Sequence, residues 1–96
     1  DPRNTRVVDI IEELKEYNVQ TDVFDPWVDP SQAQEDYSFT PLQKPELGIY
    51  AAIVLAEAHQ QFKNMSAKVI RAFGKPEHVL YDLKYLLPVD GSDLRL

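Results

Sequence analysis

The first apolar positions, Val7, Val8, Ile10, Ile11 and Leu14, recur at helical spacing, while Asp9, Glu12, Glu13, Lys15 and Glu16 fall on the opposite face. The pattern predicts an amphipathic helix of about three to four turns, with Asn4 or Thr5 as its N-cap. Asn18 tolerates positive φ better than other non-glycine residues and predicts a left-handed stop. Residues 19–24 then predict a short β-branched strand. Pro26 and Pro30 remove donors and push the residues before them out of the helical region, so 25–30 is a loop. Asp29, with Pro30 at the first helical position and Gln32 in a capping-box-like place, predicts a helix of about two turns over 30–36. Residues 39–42 predict a minor edge strand, because a central strand would not tolerate Pro41.

Residues 50–56, Tyr-Ala-Ala-Ile-Val-Leu-Ala, are apolar at successive positions and predict a central parallel strand covered on both faces. Phe62, Met65, Val69, Ile70 and Phe73 predict one helix stripe, ended by Gly74 with Pro76 just beyond. Residues 79–82 predict the next short strand. The order helix, strand, short helix, strand, helix, strand predicts a doubly wound α/β domain, Rossmann-like and three-layered, with a short parallel sheet that begins on a helix. Residues 89–96 are polar with a turn signal and predict a loosely held tail.

Composition narrows the function. Ninety-six residues make one domain at most, so an active site lying between two large domains could be present only in part. Ten Lys and Arg against sixteen Asp and Glu give a net charge of −6, which argues against a nucleic-acid partner. With no Cys there is no disulfide framework, no thiolate zinc site and no cysteine nucleophile, and a reducing cytoplasm fits best. The longest uncharged apolar run, 47–56, is far shorter than the roughly 20 residues that span a bilayer, and no signal-peptide pattern opens the chain, so no membrane partner is expected. The only Met is Met65 and the chain opens on Asp1-Pro2-Arg3-Asn4, so it reads as cut from something longer.

In parallel α/β sheets ligands bind at the carboxyl ends of strands, which makes Asp25, Glu57, His59, Asp82 and Lys84 the positions to weigh. Asp25 ends a predicted strand, where an acid often meets a ribose hydroxyl, but the Gly-rich turn that accompanies such a site is missing and a loop cap before Pro26 is the simpler role. His59 could serve as a general base or a metal ligand. No second ligand stands at metal spacing, so a structural loop histidine is favoured. Lys84 and Arg3, the cations nearest a strand end and a helix start, could each hold a phosphate, although most surface cations are simply solvated. No Gly-rich phosphate loop or nucleophile elbow is present, and composition and spacing alone support no autonomous enzyme.

Several segments together resemble a known family. Asp1-Pro2-Arg3-Asn4-Thr5 followed by Val7-Val8-Asp9-Ile10, then Val23-Phe24-Asp25-Pro26-Trp27-Val28, then Ile53-Val54-Leu55-Ala56-Glu57-Ala58-His59-Gln60-Gln61-Phe62, then Leu80-Tyr81-Asp82-Leu83-Lys84, is similar to the C-terminal domain of the nucleotide-sugar 6-dehydrogenases. The nearest branch is the UDP-N-acetylglucosamine or UDP-N-acetylgalactosamine dehydrogenases of bacterial surface-polysaccharide synthesis. The resemblance implies a UDP-binding domain over 1–88, a tail over 89–96, and a longer enzyme whose N-terminal Rossmann domain holds most of the NAD. A central helical segment would carry the catalytic cysteine and lysine. Such enzymes oxidise the sugar C6 alcohol to a carboxylate in two hydride transfers. This chain alone should be inactive, its partners being a UDP-sugar, the remaining domains of the same enzyme and further copies in a homo-oligomer.

Carried over residue by residue, the resemblance implies that Arg3 lies near the cofactor pyrophosphate and that Lys84 faces the nucleotide-sugar phosphates. The sequence departs from the family at Asn18, where Gly is usual, at Ala51, where Asp commonly precedes the central strand, and at Glu57, which replaces a small apolar residue. The family's opening strand precedes the position of Asp1. Its absence predicts that the strands at 19–24 and 51–56 pair directly or that a second copy fills the gap. The alternative is a stand-alone Rossmann-like regulatory or interaction module, which Asp25, Asp82 and Lys84 mimic loosely.

Overall fold

In a computed structural model, which describes residues 5–25, 29, 31 and 41–95, the first apolar stripe forms helix α1 (Thr5–Glu16). Ile11 is buried and Val7, Val8, Ile10 and Leu14 are half-buried, while the acids of the opposite face are exposed. The helix ends as expected at Asn18, whose φ is 61°. Asn18 N–H donates to Lys15 O at 2.9 Å and Val19 N–H to Leu14 O at 2.9 Å. These are the two crossed bonds of a Schellman stop, which satisfy carbonyls the helix leaves open.

Beyond α1 the strand expected at 19–24 does not form as a ladder. Among the described residues it holds one parallel bridge, Phe24 to Leu42, supported by Leu42 N–H donating to Val23 O at 2.7 Å. Thr21 turns its hydroxyl onto Val19 O at 3.2 Å, a local bond in place of a cross-strand one. Strand propensity is chiefly a preference for a half-buried pleated surface, and Val19 is exposed. The helix expected at 30–36 lies outside the described residues except at Ser31, whose N–H donates to Asp29 Oδ1 at 2.8 Å, the cap anticipated there. The edge strand expected at 39–42 lies outside them at its first two positions.

The chain divides into two compact units, Asp1–Pro45 and Glu46–Leu96. The second holds a three-stranded sheet of β1 (Tyr50–Leu55), β2 (Gly74–Asp82) and β3 (Leu94–Arg95), all parallel and in that order across the sheet. Short helices α2 (Gln60–Lys63) and α3 (Ala67–Arg71) connect β1 to β2. The unit is therefore a small α/β domain of the Rossmann-like kind. Within this unit β1 pairs with β2 and β2 with β3.

The core consists of Leu55, Ile70, Leu80 and Leu87, with Ile53, Met65, Ala67 and Leu86 against it. Ile53 and Leu55 face inward while Ala52 and Val54 are exposed, the period-two alternation of a sheet covered on one side. The continuous apolar run had predicted cover on both. The single helix expected over 62–73 is two helices, because Ser66 caps α3 by accepting from Val69 N–H at 3.2 Å and so starts a new helix at Ala67. Gly74 does not stop a helix. It opens β2, and a Cβ there would strike the His78 ring. From Gly74 to Val79 the register slips against Tyr50 and Ala52, a bulge that contains Pro76, which has no N–H to give a ladder.

The segment expected to be a loose tail is ordered by long-range bonds. A 3-10 turn (Val89–Gly91) leads into β3, which pairs Leu94 with Tyr81 and Arg95 with Asp82. Asp93 N–H donates to Leu80 O at 2.9 Å, and Leu80 N–H returns to Asp93 Oδ2 at 2.8 Å. Arg71 grips the same carboxylate with both ends of its guanidinium, each at 3.0 Å. It also donates to Gly91 O at 3.2 Å and meets His78 Nε2 at 3.1 Å. Since His78 Nδ1 lies 2.6 Å from Lys75 O, a carbonyl that can only accept, the proton belongs on Nδ1 and Nε2 accepts from Arg71.

The Arg71 hydrogen bond, with that of Leu80 N–H, lowers the Asp93 pKa below its ordinary value. A carboxylate whose native pKa is depressed stabilises the fold above its unfolded pKa and ceases to do so as pH falls through the native one. The contribution is therefore complete at neutral pH, begins to fall below about pH 4 and is lost as pH falls through the lowered native value. Hydrogen exchange at the Leu80 amide should show greater protection in the wild type than in Asp93→Asn at pH 7, with the gap closing below that pH. A gap that does not narrow at all as the pH is lowered would show that the charge of Asp93 does not hold the strand.

Candidate functional site

Because all three strands are parallel, their carboxyl ends share one edge of the sheet, with Leu55, Asp82 and Arg95 in register across it. Beyond that row lie the turn 56–59 after β1 and the loop 83–87 after β2. Ligands of parallel α/β sheets bind outside this edge.

Asp82, weighed from sequence as a ligand-binding acid, is fully buried. Its Oδ1 accepts from Lys84 N–H at 3.2 Å and Leu86 N–H at 3.1 Å, and its Oδ2 from Leu87 N–H at 2.9 Å. Three charge-assisted bonds occupy the carboxylate and tie the loop to the end of β2. Asp82 thus organises the edge from beneath. Lys84 follows it with an exposed side chain. Tyr85 is also exposed and takes φ 55°, a left-handed conformation that bulky residues rarely adopt and that the bonds on either side of it enforce.

His59 is buried at the N-cap of α2, its carbonyl accepting from Phe62 and Lys63 N–H at 3.0 and 3.1 Å and its ring edge-on to Phe62 at 5.3 Å. That is the structural role favoured from sequence. No group of three metal-ligating side chains occurs among the described residues. Glu57 is half-buried in the turn after β1, Asp25 is half-buried in the first unit after Phe24, and Arg3 lies outside the described residues.

Two residues of the edge escaped sequence reasoning. Arg95 places its guanidinium over the Tyr85 ring, 4.2 Å from the centroid. Its only sequence signal was a basic residue between two leucines at 94–96, too short to read as a strand. Among the described residues the edge thus carries the cations Lys84 and Arg95 and the aromatic face of Tyr85, with Glu57 and His59 in the turn after β1.

Residues 1–88 match the UDP binding domain of the UDP-glucose/GDP-mannose dehydrogenase family, and the chain belongs to that family. It is 62 % identical over 96 residues to a UDP-N-acetyl-D-glucosamine 6-dehydrogenase of Pseudomonas aeruginosa, covering 100 % of this chain and 23 % of that protein. A protein of the same name from Salmonella typhi is 49 % identical over 96 residues, again 100 % of this chain and 23 % of the relative. Protein CapL of Staphylococcus aureus is 29 % identical over 90 residues, 94 % of this chain and 21 % of the relative. The chain spans less than a quarter of the length of these curated relatives. No solved structure matches it.

If Asp82 anchors the edge, Asp82→Asn should destabilise the second unit by about 2–4 kcal/mol, because an amide cannot accept on both of its atoms. The urea midpoint of the transition reporting on this unit measures it, and a change below about 0.5 kcal/mol would be that of an ordinary surface substitution.

Proposed function

We propose that this chain is the nucleotide-sugar-binding domain of an NAD-dependent UDP-sugar 6-dehydrogenase of the UDP-N-acetylhexosamine class. The enzyme would oxidise the sugar C6 alcohol to a carboxylate in the cytoplasm, for surface-polysaccharide synthesis. The observation that carries this reading is the family match over 1–88. The identity of 62 % to a dehydrogenase named for UDP-N-acetyl-D-glucosamine supports the sugar class.

In this reading Lys84 pairs with the diphosphate of the substrate and Arg3 with the pyrophosphate of the cofactor, jobs suited to an ammonium and a guanidinium respectively. The described residues do not by themselves fit a dinucleotide. The turn after β1 is Ala56-Glu57-Ala58-His59, with no glycine to let a pyrophosphate approach the backbone and with a carboxylate that repels one. NAD is therefore held mainly outside this chain, and the chain's own work is recognition of the UDP part. Its partners are the other domains of the same enzyme, in a homo-oligomer. With no Cys of its own, the isolated chain does not turn over substrate.

The complete protein should reduce NAD only when a UDP-N-acetylhexosamine is supplied. Lys84→Gln should raise KM for the UDP-sugar about tenfold with little change in kcat, the signature of a lost ground-state contact. A wild-type protein without UDP-sugar-dependent NAD reduction would overturn the enzyme reading, and an unchanged KM would remove Lys84 from the site.

A further inference from the structure

We infer that Arg95 is a second phosphate-binding residue of this edge, taking the diphosphate of a nucleoside diphosphate together with Lys84. The inference rests on the UDP-binding reading above and adds to it a residue beyond the segment matched by the family, which ends at residue 88.

The two arginines of the second unit make the contrast on which the argument turns. Arg71 is saturated, with both Asp93 oxygens, Gly91 O and His78 Nε2 around its guanidinium. Arg95 makes no hydrogen bond or ion pair with a described residue, although its Nε is buried. The buried Nε is closed to a ligand, but among the described residues no carboxylate shares the rest of the guanidinium, whose charge an anionic ligand can meet. The Tyr85 face holds the group flat and leaves its planar fork for the bidentate recognition at which arginine exceeds lysine.

Position agrees with chemistry. Pairing of β3 with β2 sets Arg95 opposite Asp82, at the carboxyl edge from which Lys84 projects. The Arg71–Asp93 clamp immediately before β3 fixes that register. Tyr85 takes its left-handed backbone conformation between Lys84 and Leu86, whose amides both donate to Asp82. Strain of this kind is characteristic of ligand clamps.

The test is calorimetric titration of UDP into the complete protein as wild type, Arg95→Gln, Arg95→Lys and Lys84→Gln, with the urea midpoint of each. Arg95→Gln should weaken UDP by about tenfold or more at an unchanged midpoint, and Arg95→Lys, which keeps the charge but loses the fork, should fall between it and the wild type. If Arg95→Gln does not fold, the intermediate affinity of Arg95→Lys at the wild-type midpoint carries the same conclusion. Wild-type affinity in both arginine variants, or a loss of affinity matched by a loss of stability, would overturn the role of Arg95 while leaving UDP binding in place. Failure of the wild type to bind UDP would instead overturn the reading on which the inference stands.

Discussion

A fully buried carboxylate, that of Asp82, is the constraint from which the second unit is built. Taking such a charge out of water is unfavourable unless hydrogen bonds replace its hydration, and here three backbone N–H groups do so. Those donors come from Lys84, Leu86 and Leu87, so satisfying the charge and shaping the loop are one event. The loop must bring Leu87 into the core beside Leu55 and Leu80 and must turn Tyr85 outward in a left-handed conformation. The same residue's backbone receives β3 at Arg95. The Asp82 side chain therefore couples the edge loop to the core, and the Asp82 backbone carries the third strand beside it.

The Arg71–Asp93 pair works differently. Its side chains are 30 % and 42 % exposed, so solvent screens its Coulomb energy and its value lies in geometry rather than strength. A bidentate grip admits one alignment, and Asp93 also exchanges two bonds with the backbone of Leu80. The result is a fixed register for a strand of two residues, which propensity alone could not hold.

What the sequence revealed followed the range of the interactions. The first helix and its stop at Asn18 were legible because every signal lay within a few residues, and the capping of 31 by Asp29 was legible for the same reason. Expectations failed where a partner distant in sequence decided. The run 19–24 has strand composition but, among the described residues, a single bridge, and the polar segment after residue 88 becomes a strand where Arg71, 22 positions before Asp93, reaches it. Residues 62–73 failed for a local reason, since the apolar period ran through Ser66 and hid its cap. At the edge, Asp82 was correctly singled out by position but its work is inward, while Arg95 was hidden in a segment that local pattern gave no reason to place against the sheet. Membership of the dehydrogenase family was legible from motif order over the chain.

The strand order also bears on how a chain of net charge −6 could take an anion at the proposed site. Net charge speaks to long polyanions, because a nucleic-acid backbone samples the whole surface, whereas charges more than about 8–10 Å away are largely screened at physiological ionic strength. A short diphosphate feels only its neighbours. Among the exposed and half-buried charges of the edge these are Glu57 beyond β1, Lys84 beyond β2 and Arg95 ending β3, the Asp82 carboxylate beneath them being taken up by three backbone N–H groups. Adjacent strands stand about 4.8 Å apart, which places the acid and the arginine at opposite ends of a span of about 10 Å. A diphosphate bound as proposed would then lie on the β2–β3 side, away from Glu57. That placement depends on β3 being in register, and therefore on the clamp that Arg71 and Asp93 make beside it.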